Sequence, residues 1–156
     1  RQENPASVKF QSFDARFVAT WEHLYFAALN ALMAFKNKEN ISKSIAMETL
    51  LYASAQRQIR KAMELLGIKP ETSEVALLVI GQNPETVKSA LQVISANSNM
   101  QHDDTVLDLS EEKRRIIQKA FRISDLELKT VMKKDCLEKA LTDLVLERMA
   151  LLATQR

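Results

Sequence analysis

Apolar positions recur at helical spacing along much of this chain, and the longest such run covers residues 40–67, NISKSIAMETLLYASAQRQIRKAMELLG. It contains no proline, and its only glycine is the last residue. Met47, Leu50, Leu51, Ala55, Ile59, Ala62, Met63 and Leu66 step by three or four and predict the core-facing stripe of one long helix. Ser42 or Ser44 can cap its start, with Glu48 early in the run. Gly67 predicts a left-handed stop, a conformation that costs glycine nothing. On another side Arg57, Arg60, Lys61 and Glu64 share a face at i, i+3, i+4 and i+7. One segment thus offers a buried stripe to the fold and a mainly basic strip to the outside.

Around it the pattern changes several times. Val8, Phe10 and Phe13 alternate roughly with polar residues, which predicts a short strand entering a turn at 12–14. Thr20 predicts the N-cap of a helix reaching about Lys38, with Trp21, Leu24, Ala28, Ala31, Leu32 and Phe35 on its apolar face. Residues 36–40 form a polar hinge, and 70–73 break the long run. VALLVI at 75–80 has no alternation, as expected of a strand buried on both faces. Asn83-Pro84-Glu85 opens a helix to about Ala96, with proline at its first turn. A polar connector follows at 95–104. Residues 105–109 are read as a strand, Ser110-Glu111-Glu112 opens a helix to Phe121, and 123–128 are read as extended. A last helix begins near Lys134 and carries Leu137, Leu141, Leu144, Val145, Arg148 and Leu152. The fold class is therefore α+β: a helix-rich single domain over 1–156 with a small mixed β-sheet and a loose polar lead at 1–6.

Composition narrows the choices. At 156 residues the chain is large enough to bury a core without staples, and 46% apolar with 27% charged residues is ordinary for a soluble domain. Two glycines and three prolines favour helix over long loops. The net charge of +2 does not announce a nucleic-acid binder, so any such activity must be local. Cys136 is the single cysteine, which excludes an internal disulfide and fits a reducing cytoplasm. No apolar run approaches 18 residues, and no secretory start is visible.

The chemical inventory is thin. His102-Asp103-Asp104 could be read as metal ligands, but adjacent positions rarely converge on one ion, and a solvated loop is the simpler reading. Cys136 lacks a histidine that spacing would bring beside it. His23 lies beside Trp21 and Leu24 near a helix start. Glu48, on an otherwise apolar helix, is a candidate special carboxylate; its plain alternative is an acid favoured by the helix dipole or satisfied at a helix contact. The methionines Met47, Met63, Met132 and Met149 read as packing residues. Two glycines far apart form no phosphate loop, and no cofactor is expected. The residues alone reach a soluble, non-enzymatic, helix-rich domain.

Three stretches go further: HLYFAALNALMAF at 23–35, NISKS at 40–44 and METLLYASAQRQIRKAMELLGI at 47–68. Together they resemble the signature of the smallest core subunit of the KEOPS complex, the CGI family, called PRPK-binding protein in animals. The shared features are the histidine and alanines of the first helix (His23, Ala27, Ala28, Ala31, Ala34), a basic-polar hinge, a glutamate helix, and the triplet Arg57-Gln58-Ile59 followed by Ala62 and Gly67. VALLVIG at 75–81, DDTVLDLSEEKRRIIQKAFRI at 103–123 and LERMALLA at 146–153 follow in the family's order. The likeness runs from Phe10 to Ala153. Ala55 departs from it, standing where the family has glycine, and the N-terminus is short where the family usually carries another strand.

The resemblance implies a helper subunit. KEOPS installs a threonylcarbamoyl group on the adenosine beside the anticodon of tRNAs that read codons beginning with A. Its catalytic subunit is a separate ATPase-like protein regulated by a small atypical kinase. The CGI subunit binds that kinase directly, meets the catalytic subunit only through it, and helps recruit tRNA by its single-stranded 3′ CCA end. A cytoplasmic place is implied, or a nuclear one in a eukaryote. Lys43, Arg57, Arg60 and Lys61 are then expected to hold phosphates, with Gln58 or Tyr52 contacting an unstacked base. On one continuous helix Lys43 would stand about four turns, roughly 20 Å, from Arg57. Leu144, Val145, Met149 and Leu152 are expected to meet the kinase, because 137–152 holds more apolar residues than one core stripe needs. Two other readings compete: a generic helical adaptor without RNA affinity, and an enzyme using Glu48 or His102 in acid–base work.

Overall fold

The computed structural model describes residues 8–99, 101–132 and 136–154. The loose lead expected at 1–6, and the start of the last helix near Lys134, lie outside them. In chain order the elements are strand β1 (Lys9–Asp14), a 3-10 turn (Ala15–Phe17), helices α1 (Trp21–Lys36), α2 (Ile45–Ser54) and α3 (Ile59–Leu66), strand β2 (Val75–Ile80), helix α4 (Pro84–Asn97), a 3-10 turn (Asp104–Leu107), and helices α5 (Glu111–Phe121), α6 (Asp125–Val131) and α7 (Leu137–Thr154). This is an α+β fold. Its sheet, among the described residues, is two-stranded and antiparallel rather than mixed, with Lys9 opposite Ile80 and Asp14 opposite Val75.

The long run at 40–67 is two helices. α2 ends because Ala55 adopts φ 54°, ψ 37°, and its N–H and that of Gln56 close back on Tyr52 and Leu51. Helix α3 then folds back, so that Met63 and Gly67 from its end and Met47 and Leu50 from the start of α2 line one cleft. The predicted stripe holds at Leu50, Leu51, Ala62 and Leu66, whereas Ile59 and Met63 are exposed. Gly67 is not a left-handed stop either: it is extended at φ −70°. Its need for glycine is one of space, since a Cβ there would lie 2.5 Å from the Met63 carbonyl oxygen.

Other expectations shift for local reasons. β1 continues through Asp14, whose carboxylate accepts from Arg16 N and so starts the 3-10 turn after it. Only Ala76 of β2 is fully buried, because the strand has one partner, β1, and α4 beside it has no fully buried residue. Residues 104–107 coil into a 3-10 turn capped by Asp103, not a strand. Residues 125–131 form α6, capped by Ser124, not an extended segment. Both caps offer the backbone N–H groups a side-chain oxygen that an isolated strand would not supply. α1 and α5 begin where expected, after Thr20 and Ser110; Ser110 Oγ accepts from Lys113 N, whereas Thr20 makes no side-chain capping bond.

The core gathers Phe13 from β1, Leu50 and Leu51 from α2, Leu66 from α3, Ile117 from α5, and Leu141, Val145 and Met149 from α7. α1 contributes mainly small residues, Ala27, Ala31 and Ala34, with His23 and Leu24. It packs chiefly on α2 and then on α7. Small side chains let helix backbones approach closely, so α1 seals the core with its narrow side.

Candidate nucleic-acid and partner interfaces

The break at Ala55 decides how the basic residues are presented. Arg57 lies in the elbow between α2 and α3, Gln58 is the N-cap residue of α3, and Arg60 and Lys61 are in its first turn. All four are exposed. Arg57 is therefore not on one helix face with Arg60 and Lys61, as the continuous helix had implied. Arg60 Nε lies 3.1 Å from Glu64 Oε1 in a solvent-exposed i, i+4 pair, an interaction worth a few tenths of a kcal/mol at most. Such a pair yields readily to a phosphate.

Lys43 sits at the opposite end of α2, on a loop held from within. The Glu48 carboxylate is fully buried and accepts from Ile41 N at 2.9 and 3.1 Å, from Ser42 N at 2.7 Å and from Ser42 Oγ at 2.8 Å. Ser44 caps α2 by accepting from Met47 N. Lys43, exposed between the two serines, is thus carried on a fixed backbone. Glu48 is spent on structure. The helix between Lys43 and Arg57 has 10 residues, so the two stand about 15–20 Å apart at the ends of α2. Tyr52 is buried, which removes it as a stacking platform.

The expected kinase contacts on α7 need correction. Leu144, Val145, Met149 and Leu152 are all in the chain's own core, none more than 3% exposed. The helix is apolar on several sides because it packs on α1, α2, α5 and α6 at once. These side chains cannot touch another protein without leaving the core.

The large exposed apolar surface lies on α1. Trp21, Tyr25, Phe26, Leu29, Leu32 and Met33 are all exposed, Trp21 at 60% and Met33 at 53%. At 3.6 residues per turn they share roughly 140° of arc. Trp21 meets Tyr25 edge-on, and Tyr25 meets Phe26 likewise, at 5.8 and 5.3 Å between ring centroids. Their exposed area comes to roughly 600 Å², at the upper end of the largest patch on a typical monomer. Trp21 and Leu32 thus lie outside the buried face to which the sequence pattern assigns them. The signal for the opposite assignment was the cluster of alanines with His23 on the other side: small residues mark the packed face, and large ones are left outside.

The remaining chemistry is scattered. His102 Nε2 lies 2.7 Å from Asp104 Oδ1 on the surface, a hydrogen bond that raises the His102 pKa. Asp103 is engaged in capping Thr105. No cluster of three or more metal-binding side chains occurs among the described residues. His23 is enclosed, with Nδ1 accepting from Ala19 N at 3.1 Å and Nε2 donating to the Ala53 carbonyl at 2.7 Å. Lys113, nearly buried, donates to the carbonyls of Val106 and Asp108, and burial lowers it to about 8. A shallow cleft of about 350 Å³ opens between Phe10, Gln11 and Ser12 on β1 and Met47, Leu50, Met63, Gly67 and Ile68 on the α2–α3 hairpin. A wider groove of about 840 Å³ separates β2, α4 and residues 101–107. No described helix is long and apolar enough to cross a membrane.

An apolar helix face, an exposed basic elbow and titratable groups either buried or dispersed make up the class of surface that this fold presents. The comparison with known sequences gives that class a family. The chain belongs to the family described as kinase binding protein CGI-121, whose profile matches residues 2–153. It is similar to the regulatory protein Cgi121 of Methanocaldococcus jannaschii, 35% identical over 116 residues, which is 74% of this chain and 72% of that protein.

Proposed function

We propose that this chain is a non-catalytic regulatory subunit of a KEOPS-type tRNA-modifying assembly, and that it holds two partners. One is the assembly's small kinase, seated on the aromatic face of α1. The other is the single-stranded 3′ CCA end of tRNA, gripped by Lys43, Arg57, Gln58, Arg60 and Lys61. The catalytic subunit is reached through the kinase.

Family membership supports the regulatory and kinase-binding reading. The single structural observation that carries the RNA reading is the run Arg57–Lys61, displayed on an exposed elbow with Lys43 at the other end of α2. A single strand is held by cations spaced along its backbone plus a group that meets an unstacked base, and Gln58 is exposed among these cations. The near-neutral net charge makes the binding local and weak rather than general.

Capture experiments with the kinase and with tRNA, intact or lacking its CCA end, test both halves. The chain should retain the kinase, and should retain intact tRNA more than trimmed tRNA. Equal retention of intact and trimmed tRNA would overturn the CCA-end reading, and retention of neither would leave the adaptor without RNA affinity; failure to retain the kinase would remove the regulatory reading.

A further inference from the structure

We propose that the groove between β2, α4 and residues 101–107 receives an extended segment of a protein partner, in which apolar and basic side chains alternate, added as a strand along the open edge of β2. The proposal is independent of the RNA reading, and the backbone carries it. Phe13 stands opposite Ala76 and Gln11 opposite Leu78. One step further in that register, Ala15 N donates to the Glu74 carbonyl at 3.0 Å. Bonded and non-bonded pairs alternate along an antiparallel ladder. Ala76 and Leu78 therefore spend their N–H and C=O groups on β1, while Val75 and Leu77 point theirs the other way. Among the described residues β1 is the one partner of β2, and no other hydrogen bond reaches the backbone of Val75 or Leu77. Successive strand residues face opposite ways, so a groove lined by Val75, Ala76 and Leu77 together runs along the strand's edge. An unpaired edge of this kind is a template for another extended chain.

The walls say which side chains that strand carries. On α4, Leu91, Ile94, Ser95 and Ser98 line the groove at i, i+3, i+4 and i+7, which is one helix face. No residue of this 14-residue helix is fully buried, so the layer beneath that face is unfilled. Leu91 and Ile94 with Val75 and Leu77 call for apolar side chains on the incoming strand. Glu74, Asp103 and Asp104 also line the groove, and His102, bonded to Asp104 at 2.7 Å, is its one titratable cation. Lys113 attracts Glu74 but is outside the lining, nearly buried and donating to the carbonyls of Val106 and Asp108. The Asp104 carboxylate is exposed and open to a partner's cation. These carboxylates repel RNA phosphates and favour a basic chain. A second copy pairing through its own β2 would bring VALLVI, which has no cation to offer them.

The test uses the full chain and a short synthetic peptide of alternating lysine and valine, with hydrogen exchange followed by NMR. In the free protein the amides of Val75 and Leu77 should exchange fast and those of Ala76 and Leu78 slowly. The saturating peptide should slow Val75 and Leu77 by about tenfold or more, and a peptide of alternating glutamate and valine should not. Methylating every second peptide amide should abolish binding for one alternate set and spare it for the other, because a strand turns only every second N–H to a given neighbour. Glu74→Gln together with Asp104→Asn, folded by circular dichroism, should weaken binding by about three- to tenfold. Slow exchange of Val75 and Leu77 in the free protein, no binding of the peptide, or equal loss with both methylated sets would overturn the proposal. So would protection of Val75 and Leu77 that rises with protein concentration alone, which would assign the edge to a second copy.

Discussion

His23 shows what one residue settles in this fold. Its ring bridges the end of the segment before α1 to the last turn of α2, accepting from Ala19 N and donating to the Ala53 carbonyl, with Phe121 edge-on at 5.6 Å. The bridge fixes the neutral tautomer protonated on Nε2. Burial pushes its pKa from 6.5 down to about 4, against the pull of the Ala53 carbonyl, which favours the charged ring. The unfolded chain therefore binds the proton more readily than the folded one. Stability from this residue is complete above pH 6.5 and is lost as pH falls toward 4, by about 3 kcal/mol in all. Urea midpoints measured from pH 7.5 to 4 should show that loss in the parent. His23→Gln should be less stable at pH 7.5 and nearly flat across the window. Asp14 is separable: burial pushes it up, but Arg16's hydrogen bonds and charge leave it below 3.8, so its contribution fails only at lower pH. A parent with no slope between pH 6.5 and 4 would mean that His23 is not held neutral.

Element ends are handled in an unusual way. α1, α2 and α5 each close with a left-handed residue that is not glycine: Lys38 at φ 57°, Ala55 at 54° and Arg122 at 55°. At each, the following N–H reaches back to the fifth residue before it: Glu39 to Ala34, Gln56 to Leu51, Ile123 to Gln118. That pattern normally recruits glycine, since a Cβ in this conformation costs about 1–2 kcal/mol. Glycine itself loses about 0.5–1 kcal/mol of chain entropy, which offsets part of the gain. Ala55→Gly should therefore stabilise the protein by about 0.5–1 kcal/mol, a rise of about 1–4 °C in Tm. An unchanged or lower Tm would show that the half-buried methyl of Ala55 is worth as much as the strain it brings. The turn itself survives the absence of glycine because the core on both sides over-determines it: Leu50, Leu51 and Ala53 lie before it, and Ala62 and Leu66 after it, all buried.

At the scale of the whole molecule, the proposed kinase surface and the proposed RNA surface share no residue. Tyr25→Glu on α1 should abolish kinase capture and leave RNA affinity unchanged. Arg60→Glu should do the reverse. Arg57, Arg60 and Lys61 on the elbow and α3 should together contribute about −2 to the log–log salt slope for a single strand, and Arg60→Glu should flatten it by about 0.7. If Arg60→Glu, folded by circular dichroism, binds intact tRNA like the parent, α3 is not the RNA surface. If Tyr25→Glu still captures the kinase, α1 is not its dock.

What the sequence determined by itself is local and compositional. Caps and proline placed α4 and α5, because hydrogen bonds within a few residues decide where such helices begin. Helix dominance followed from scarce glycine and proline. The CGI likeness was legible in the residues of 23–68, and the exposed run Arg57–Lys61 within it. Tertiary structure alone decided which apolar residues are inside. Spacing says that α1 and α7 have apolar faces, but not which face meets a neighbour. α1 hides its alanines and displays its aromatic rings, whereas α7, packed on four helices, buries Leu141, Leu144, Val145, Met149 and Leu152 and leaves Leu151 exposed. The elbow at Ala55 is of the same kind: an alanine carries no local signal for a left-handed turn, and only packing on both sides of it makes that turn the lowest state. With that elbow, the basic run moved off a helix face, and the cleft beside Phe10 came into being.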